Sequence, residues 1–146
     1  TTNSSTVLFS NISQAYKNLV IEFFGIVSAD GIALRFQFNS DTGTNYSITG
    51  IDGNGTSATS DRRSTVNYQL AAGWDAGLPT SSSFATAIIN VQNYSNSTTY
   101  KTTSSRIGQG DGYVTVSVGL WRSTSAINSI KIEPYTGPNL ASGSCY

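Results

Sequence analysis

Side chains that could carry out catalysis are few and widely separated in this chain of 146 residues. Histidine is absent and the single cysteine is Cys145, so neither a Ser-His nor a Cys-His nucleophile pair can form. The eight acidic residues are dispersed, and Asp30, Asp52 and Asp111 each directly precede a glycine, as turn residues do. We therefore predict that the protein is not an enzyme, that it has no catalytic residue and that it needs no cofactor.

Two glycine-rich segments have the composition of ligand-binding loops, but one lacks a closing acidic residue and the other lacks a following helix. Segment 52–56 (DGNGT) places oxygen-bearing side chains at alternate positions, as calcium loops do, yet no acidic residue follows where it would close the site. Segment 108–112 (GQGDG) precedes a strand-like run, whereas a phosphate loop opens a helix. We interpret both segments as turns and predict no metal site.

The charge of the chain is low and balanced. Charged residues make up 11% of the sequence, and the formal net charge is zero. Contacts to phosphates need clustered Lys and Arg, whereas the only adjacent basic pair is Arg62-Arg63. The longest apolar segment, 18–27, is interrupted by Glu22 and Gly25 and is shorter than the roughly 20 residues of a membrane-spanning helix. We predict neither nucleic-acid binding nor membrane insertion.

Apolar and polar residues alternate along most of the chain, and this pattern predicts β-strands. It is clear at 32–38, where Ile, Leu and Phe occupy every second position. Segment 114–120 has valines on one face and mainly hydroxyl residues on the other. The alternation therefore predicts a strand with one apolar and one mostly polar face.

Turn residues such as Asn-Gly and Asp-Gly separate the alternating runs at short intervals. The pattern predicts an all-β protein, a two-sheet antiparallel sandwich of jelly-roll type with eight to nine strands. Residues 1–12 are interpreted as an extended N-terminal arm, residues 13–146 as a single sandwich domain, and the polar segment 53–64 as a long loop that is mobile or faces a partner. The nine expected strands are 6–10, 18–27, 31–38, 44–51, 64–70, 83–92, 99–106, 112–121 and 127–134.

Three groups of residues are candidates for contacts with other molecules. Sequons make six asparagines candidate glycosylation sites: Asn3, Asn11, Asn45, Asn54, Asn93 and Asn96. Four aromatic residues are candidates to face a sugar ligand, unless their rings pack across strands instead: Tyr46, Tyr68, Trp74 and Tyr94. Four apolar residues of the arm are candidates for strand donation to a neighbour: Val7, Leu8, Phe9 and Ile12.

Three long segments carry a family resemblance, and they follow one another in order. They are 9–20 (FSNISQAYKNLV), 34–47 (LRFQFNSDTGTNYS) and 119–130 (GLWRSTSAINSI), with a shorter one at 91–96 (VQNYSN). Together they resemble a family of bacteriophage structural proteins of tail fibres, appendages and head surfaces. The resemblance implies a β-sandwich carried on virions, with motifs that determine the fold. It also implies a last strand beginning near residues 143–146, which we expect to be incomplete or exchanged with a neighbour.

We therefore predict a non-enzymatic structural protein that assembles with copies of itself, through sheet faces or edges, in a phage particle or phage-like fibre. Two alternatives stay open: a subunit of a non-viral extracellular filament built by strand donation, and a carbohydrate- or receptor-binding module. The expected partners are copies of the chain, other virion proteins or surface glycans. The expected location is the virion surface or the extracellular space.

Overall fold

A computed structural model describes residues 4–29, 32–71, 77–80, 83–108, 112–137 and 139–145. These residues contain strands and no helix, so none of their segments has the form of a membrane-spanning helix. The all-β prediction is confirmed. The strands are β1 (Val7–Phe9), β2 (Leu19–Val27), β3 (Leu34–Phe38), β4 (Tyr46–Gly53), β5 (Ala58–Val66), β6 (Gln69–Leu70), β7 (Ala85–Gln92), β8 (Lys101–Gly108), β9 (Val114–Trp121), β10 (Ile130–Pro134) and β11 (Leu140–Cys145).

The strands form two antiparallel sheets packed as a sandwich. One sheet has four strands in the order β1-β10-β3-β6, and the other has seven in the order β11-β2-β7-β8-β9-β4-β5. With β8, β9 and β11 set aside, the remaining orders are β1-β10-β3-β6 and β2-β7-β4-β5, which is the strand order of an eight-stranded jelly roll. The predicted sandwich is therefore confirmed. The β8-β9 hairpin widens one sheet, and β11 extends it beyond β2.

Two expected boundaries differ from the structure. Most of segment 53–64, expected as a loop, lies in β5, which pairs with β4 over its whole length. An edge strand with both faces near solvent needs no apolar alternation, so its polar composition concealed it. The expected strand 64–70 is divided between the end of β5 and the short β6, with Thr65 at a φ of 57° where the chain leaves the wide sheet.

The core lies between the two sheets, and the wide sheet contributes residues of β2 and β7 together with Tyr46 of β4, Ile107 of β8 and Trp121 of β9. Its largest cluster joins four rings, with centroid separations of 5.4 Å for Phe36–Phe38, 5.4 Å for Phe38–Trp121 and 6.2 Å for Tyr46–Trp121. Isoleucines of β10 and β7, among them Ile130, complete the cluster and are buried. Aromatic and branched side chains on facing strands thus supply the packing that holds the sheets together.

The N-terminal arm lies on its own chain. Ser4 forms an antiparallel bridge with Leu140 of β11, and β1 pairs with β10. Val7, Phe9 and Ile12 pack against the core, while Leu8 is exposed. In strand donation, β1 would pair with β10 of a neighbouring copy instead of β10 of its own chain. A single chain does not test this, so donation stays a prediction. Residues 143–145, where the last strand is expected to begin, already lie in β11, which starts at Leu140 and pairs with β2 of the same chain.

Candidate functional site: the outer face of the wide sheet

The outer face of the seven-stranded sheet carries a stripe of exposed aliphatic side chains. Val114, Val116 and Val118 of β9 are 58%, 56% and 57% exposed, and Ile51 of β4 is 60% exposed. Ile51 lies directly opposite Val116 in the antiparallel register. We call these four residues the valine face. The apolar face that the alternation of 114–120 predicts is therefore exposed in this structure.

The inner face of β9 is polar, and hydrogen bonds make its burial possible. Thr115 and Ser117 are buried, and their hydroxyls are satisfied across the sheet. The Thr115 hydroxyl donates to the Asp52 carboxylate, and the Ser117 hydroxyl lies 2.6 Å from that of Ser105. Because paired polar groups can be buried at little cost, the strand can turn its valines outward.

Gly119 continues this inner face at a place where a side chain does not fit. A Cβ atom there would lie 2.1 Å from Gln69 Oε1 and 2.5 Å from Thr103 Oγ1. Gln69 comes from β6 of the opposite sheet and is buried, so it has little room to move away.

We expect Gly119→Ala to lower the free energy of unfolding by about 1–3 kcal/mol, the usual cost of overpacking a core. Urea unfolding measures the loss. Gly53→Ala is the matched control, since its Cβ would meet Val114 at an ordinary 3.5 Å. A Gly119→Ala protein as stable as the control would contradict the close approach of Gln69.

The surroundings of the valine face are small and mostly uncharged. Thr49 and Ser104 flank Val118 on the two neighbouring strands. Glycines at positions 53 and 108 flank Val114 in the same way. Arg106 lies beside Val116 and is the nearest charge in the register. The result is an aliphatic ridge with hollows on either side of one end.

A polar cleft of about 180 Å³ opens where β4 turns into β5, and it is lined by Asp52, Asn54, Ser57, Thr59 and Tyr113. The turn expected at 52–56 begins at Asn54, whose Oδ1 accepts the backbone N–H groups of Thr56 at 3.0 Å and Ser57 at 2.8 Å. Asp52 and Gly53, expected in the turn, are the last residues of β4. Within the described ranges, no three His, Cys, Asp or Glu side chains are grouped so as to hold a metal ion.

Three of the four aromatic residues expected to face a ligand do not do so. Tyr46, Tyr68 and Tyr94 are buried, with exposures of 0%, 5% and 1%. Their rings fill the interior, and the hydroxyl of Tyr94 donates to the backbone oxygen of Ser13. Trp74 lies outside the described residues. Tyr113, which was not among the candidates, lines the polar cleft.

The candidate glycosylation sites differ in accessibility. Asn11, Asn54 and Asn93 are exposed, whereas Asn45 and Asn96 are half-buried and hydrogen-bonded. Asn3 lies outside the described residues. A glycan on Asn45 would replace one of the two hydrogens on the Nδ2 that donates to Asp41 and would need room beside that carboxylate, so the exposed asparagines remain the better candidates.

The segments that carry the family resemblance meet at one end of the sandwich. Asp41 accepts hydrogen bonds from Asn45 Nδ2 at 2.9 Å and from Trp121 Nε1 at 2.6 Å. Arg122 donates to the backbone oxygens of Thr44 at 3.3 Å and Tyr46 at 3.2 Å. Hydrogen bonds therefore tie segment 119–130 to segment 34–47, as expected of residues that determine a fold.

Low pH should weaken the hydrogen bonds around Asp41 and so lower the stability of the fold. Burial by itself raises the pKa of the Asp41 carboxyl, but hydrogen bonds from Asn45, Trp121 and the Gly43 N–H together leave that pKa below its usual value of 3.8. A carboxyl with a lowered pKa in the folded state stabilises the fold above its unfolded pKa, and this stability is lost as the pH falls through the folded pKa.

We therefore expect Asp41→Asn to lose less of its free energy of unfolding than the native protein when the pH falls from about 5 to about 2. Urea unfolding at several pH values checks this. Glu22→Gln, which removes an exposed carboxylate from the outer sheet face, controls for net charge. Equal acid dependence in Asp41→Asn and the native protein would show that Asp41 is not linked to folding.

Comparison with known proteins adds no relative: no protein-family model, curated protein or solved structure matches the chain. The valine face and the polar cleft therefore rest on the geometry of this chain. Sequence analysis missed both. The signal for the valine face was a set of hydroxyl residues on two neighbouring strands that share the inner side of the sheet: Thr103, Ser105, Thr115 and Ser117.

Proposed function

We propose that the protein is a structural module that self-associates through the valine face as part of a phage particle or phage-like fibre. The observation that carries this proposal is a ridge of four aliphatic side chains, each more than half exposed, on adjacent strands of the widest sheet. Contiguous apolar surface of this kind commonly marks an interaction site. The phage assignment rests on the resemblance of four segments.

A second copy fits the shape of this face. Two sheets pack face to face when side chains from one enter the spaces between side chains of the other. The ridge of Val114, Val116 and Val118 has glycine hollows beside it, so two such faces related by a two-fold axis can interlock. The nearby hydroxyl residues add hydrogen-bonding capacity without the desolvation cost of charges.

Sedimentation velocity and negative-stain microscopy of the purified chain over a range of concentrations test the proposal. We expect concentration-dependent oligomers, and filaments or discrete assemblies at high concentration. A protein that stays monomeric throughout this range would overturn it.

The polar cleft favours a second function, recognition of a surface glycan. Asp52 contributes carboxylate acceptors, Ser57 and Thr59 contribute hydroxyls, and the half-buried Tyr113 contributes an apolar ring. A few placed polar groups beside an apolar surface is the usual composition of a small-ligand site. A single sugar ring has a size compatible with the cleft.

Glycan-array binding followed by titration with the retained sugar tests this function. Thr59→Val removes one hydroxyl from the cleft, and we expect about tenfold weaker binding. Ser60→Ala, on the opposite face of the same strand, should bind like the native protein. No retained glycan, or equal binding by both variants, would exclude the cleft as a sugar site.

A further inference from the structure

Strand β5 is the longest free edge of the sandwich. It runs for nine residues and, in the described part of the chain, pairs only with β4. The other sheet edges are shorter: β1 has three residues and β6 has two. Strand β11 has six, and Ser4 covers its first residue. An exposed row of backbone donors and acceptors is a template for pairing with another strand.

The charged residues of β5 are placed so that two antiparallel copies of the strand bring opposite charges together. Asp61 and Arg63 lie on the inner side of the strand and form an ion pair, with Nε 3.1 Å from Oδ2. Arg62 lies between them on the outer side, opposite Thr49 of β4. When two such strands run antiparallel about a two-fold axis at Arg62, Asp61 stands opposite Arg63 of the partner subunit, and the reverse holds as well.

We propose that β5 pairs with β5 of a second copy in this register, joining two seven-stranded sheets into one. The inference rests on the proposed self-association but names a second surface for it. Two opposite-charge pairs then form across the junction, and with the ion pairs within each chain they make a square of alternating charges. Opposite charges directly across a strand pair are favourable, and like charges are not.

A two-fold axis shifted by one residue in either direction would place like charges opposite each other across the junction. An axis at Asp61 places two carboxylates opposite each other, and an axis at Arg63 does the same with two guanidinium groups. The chosen register pairs residues 60–64 with residues 60–64, and this segment ends just before the positive φ of 57° at Thr65. Inward charges usually protect an edge from foreign strands, so this pattern excludes other partners while accepting itself.

The register also brings two Arg62 side chains together on the outer side. Arg62 is exposed there, and long side chains in water can diverge. We therefore expect Arg62→Ala to dimerise at least as tightly as its parent, in contrast to changes at Asp61 or Arg63.

Charge exchange between two variants tests the register. All proteins carry Val116→Asp, which removes association through the valine face, and sedimentation equilibrium gives the dissociation constants. We expect the parent to be a dimer, and Asp61→Arg and Arg63→Asp each to weaken dimerisation about tenfold or more. An equimolar mixture of these two should recover the dimer, because both cross-chain pairs regain opposite charges while the ion pair within each chain stays broken.

Circular dichroism and thermal unfolding establish that each variant is folded, and Asp61→Lys with Arg63→Glu serves as a second pair if one does not fold. A monomeric parent, when the native protein still assembles, would overturn the β5 register and leave the proposed function standing. Single variants that dimerise like the parent, or a mixture that does not recover, would overturn the register as well. A native protein that is itself monomeric would instead overturn the proposed function.

Discussion

Val116→Asp should dissociate copies joined through the valine face, weakening that association by about a hundredfold or more. Val116 is the middle valine of the ridge and lies between Ile51 and Arg106, so a two-fold interface would bury the new carboxylate. Removing a charge from water costs free energy even when an opposite charge such as Arg106 is beside it. The two-fold axis repeats the change on both copies. Since Val116 is more than half exposed in the single chain, the fold itself should be almost unaffected. Sedimentation velocity of the variant and the native protein at equal concentration measures the change.

The control for Val116→Asp needs the same added charge away from the sheet face. Thr136 lies in the exposed connection between β10 and β11, so Thr136→Asp meets that requirement. We expect Thr136→Asp to sediment like the native protein. If both variants dissociate equally, the effect comes from net charge and the valine face is not the interface. If neither dissociates, association uses another surface.

Local sequence patterns predicted the strands better than they predicted which side of a strand faces the core. The alternation in 114–120 identified β9 correctly, because period-two patterning follows from strand geometry alone. The choice of inner face depends on the strands beside it. Asp52 and Ser105 supply hydrogen-bond partners for the inner side of β9, and Gln69 of the opposite sheet packs closely against Gly119. These three residues come from distant segments of the chain. A pattern read along one strand carries no information about them.

Dependence on residues distant in sequence also explains why β5 and the polar cleft were not predicted. Strand β5 is held by its register with β4 and by no apolar pattern of its own, so its polar sequence resembled a loop. The polar cleft combines residues from β4, the turn, β5 and the segment before β9. By contrast, the corner built by Asp41, Asn45 and Arg122 uses residues within the recognised segments. Its structural role was therefore predictable before its contacts were known.

Trp121→Ala should cause the largest loss of stability of the changes considered, about 3–5 kcal/mol. Trp121 is among the largest fully enclosed side chains, and its ring lies against Phe38 and Tyr46. Truncation leaves a cavity between the sheets and removes the Nε1–H donor of Asp41. Urea unfolding measures the loss, and a cost below about 1 kcal/mol would contradict the central position of this ring.

Trp121→Phe separates the two contributions of this side chain. Phenylalanine retains a ring between Phe38 and Tyr46 but has no donor for the Asp41 carboxylate, so we expect a smaller loss of about 1–3 kcal/mol. The lost hydrogen bond is one of those that hold the pKa of Asp41 below its usual value. Trp121→Phe should therefore also reduce the acid dependence of stability, in the same direction as Asp41→Asn. If Trp121→Phe kept the full acid dependence of the native protein, the indole would act through packing alone, and the Asn45 and Gly43 donors would suffice for the carboxylate.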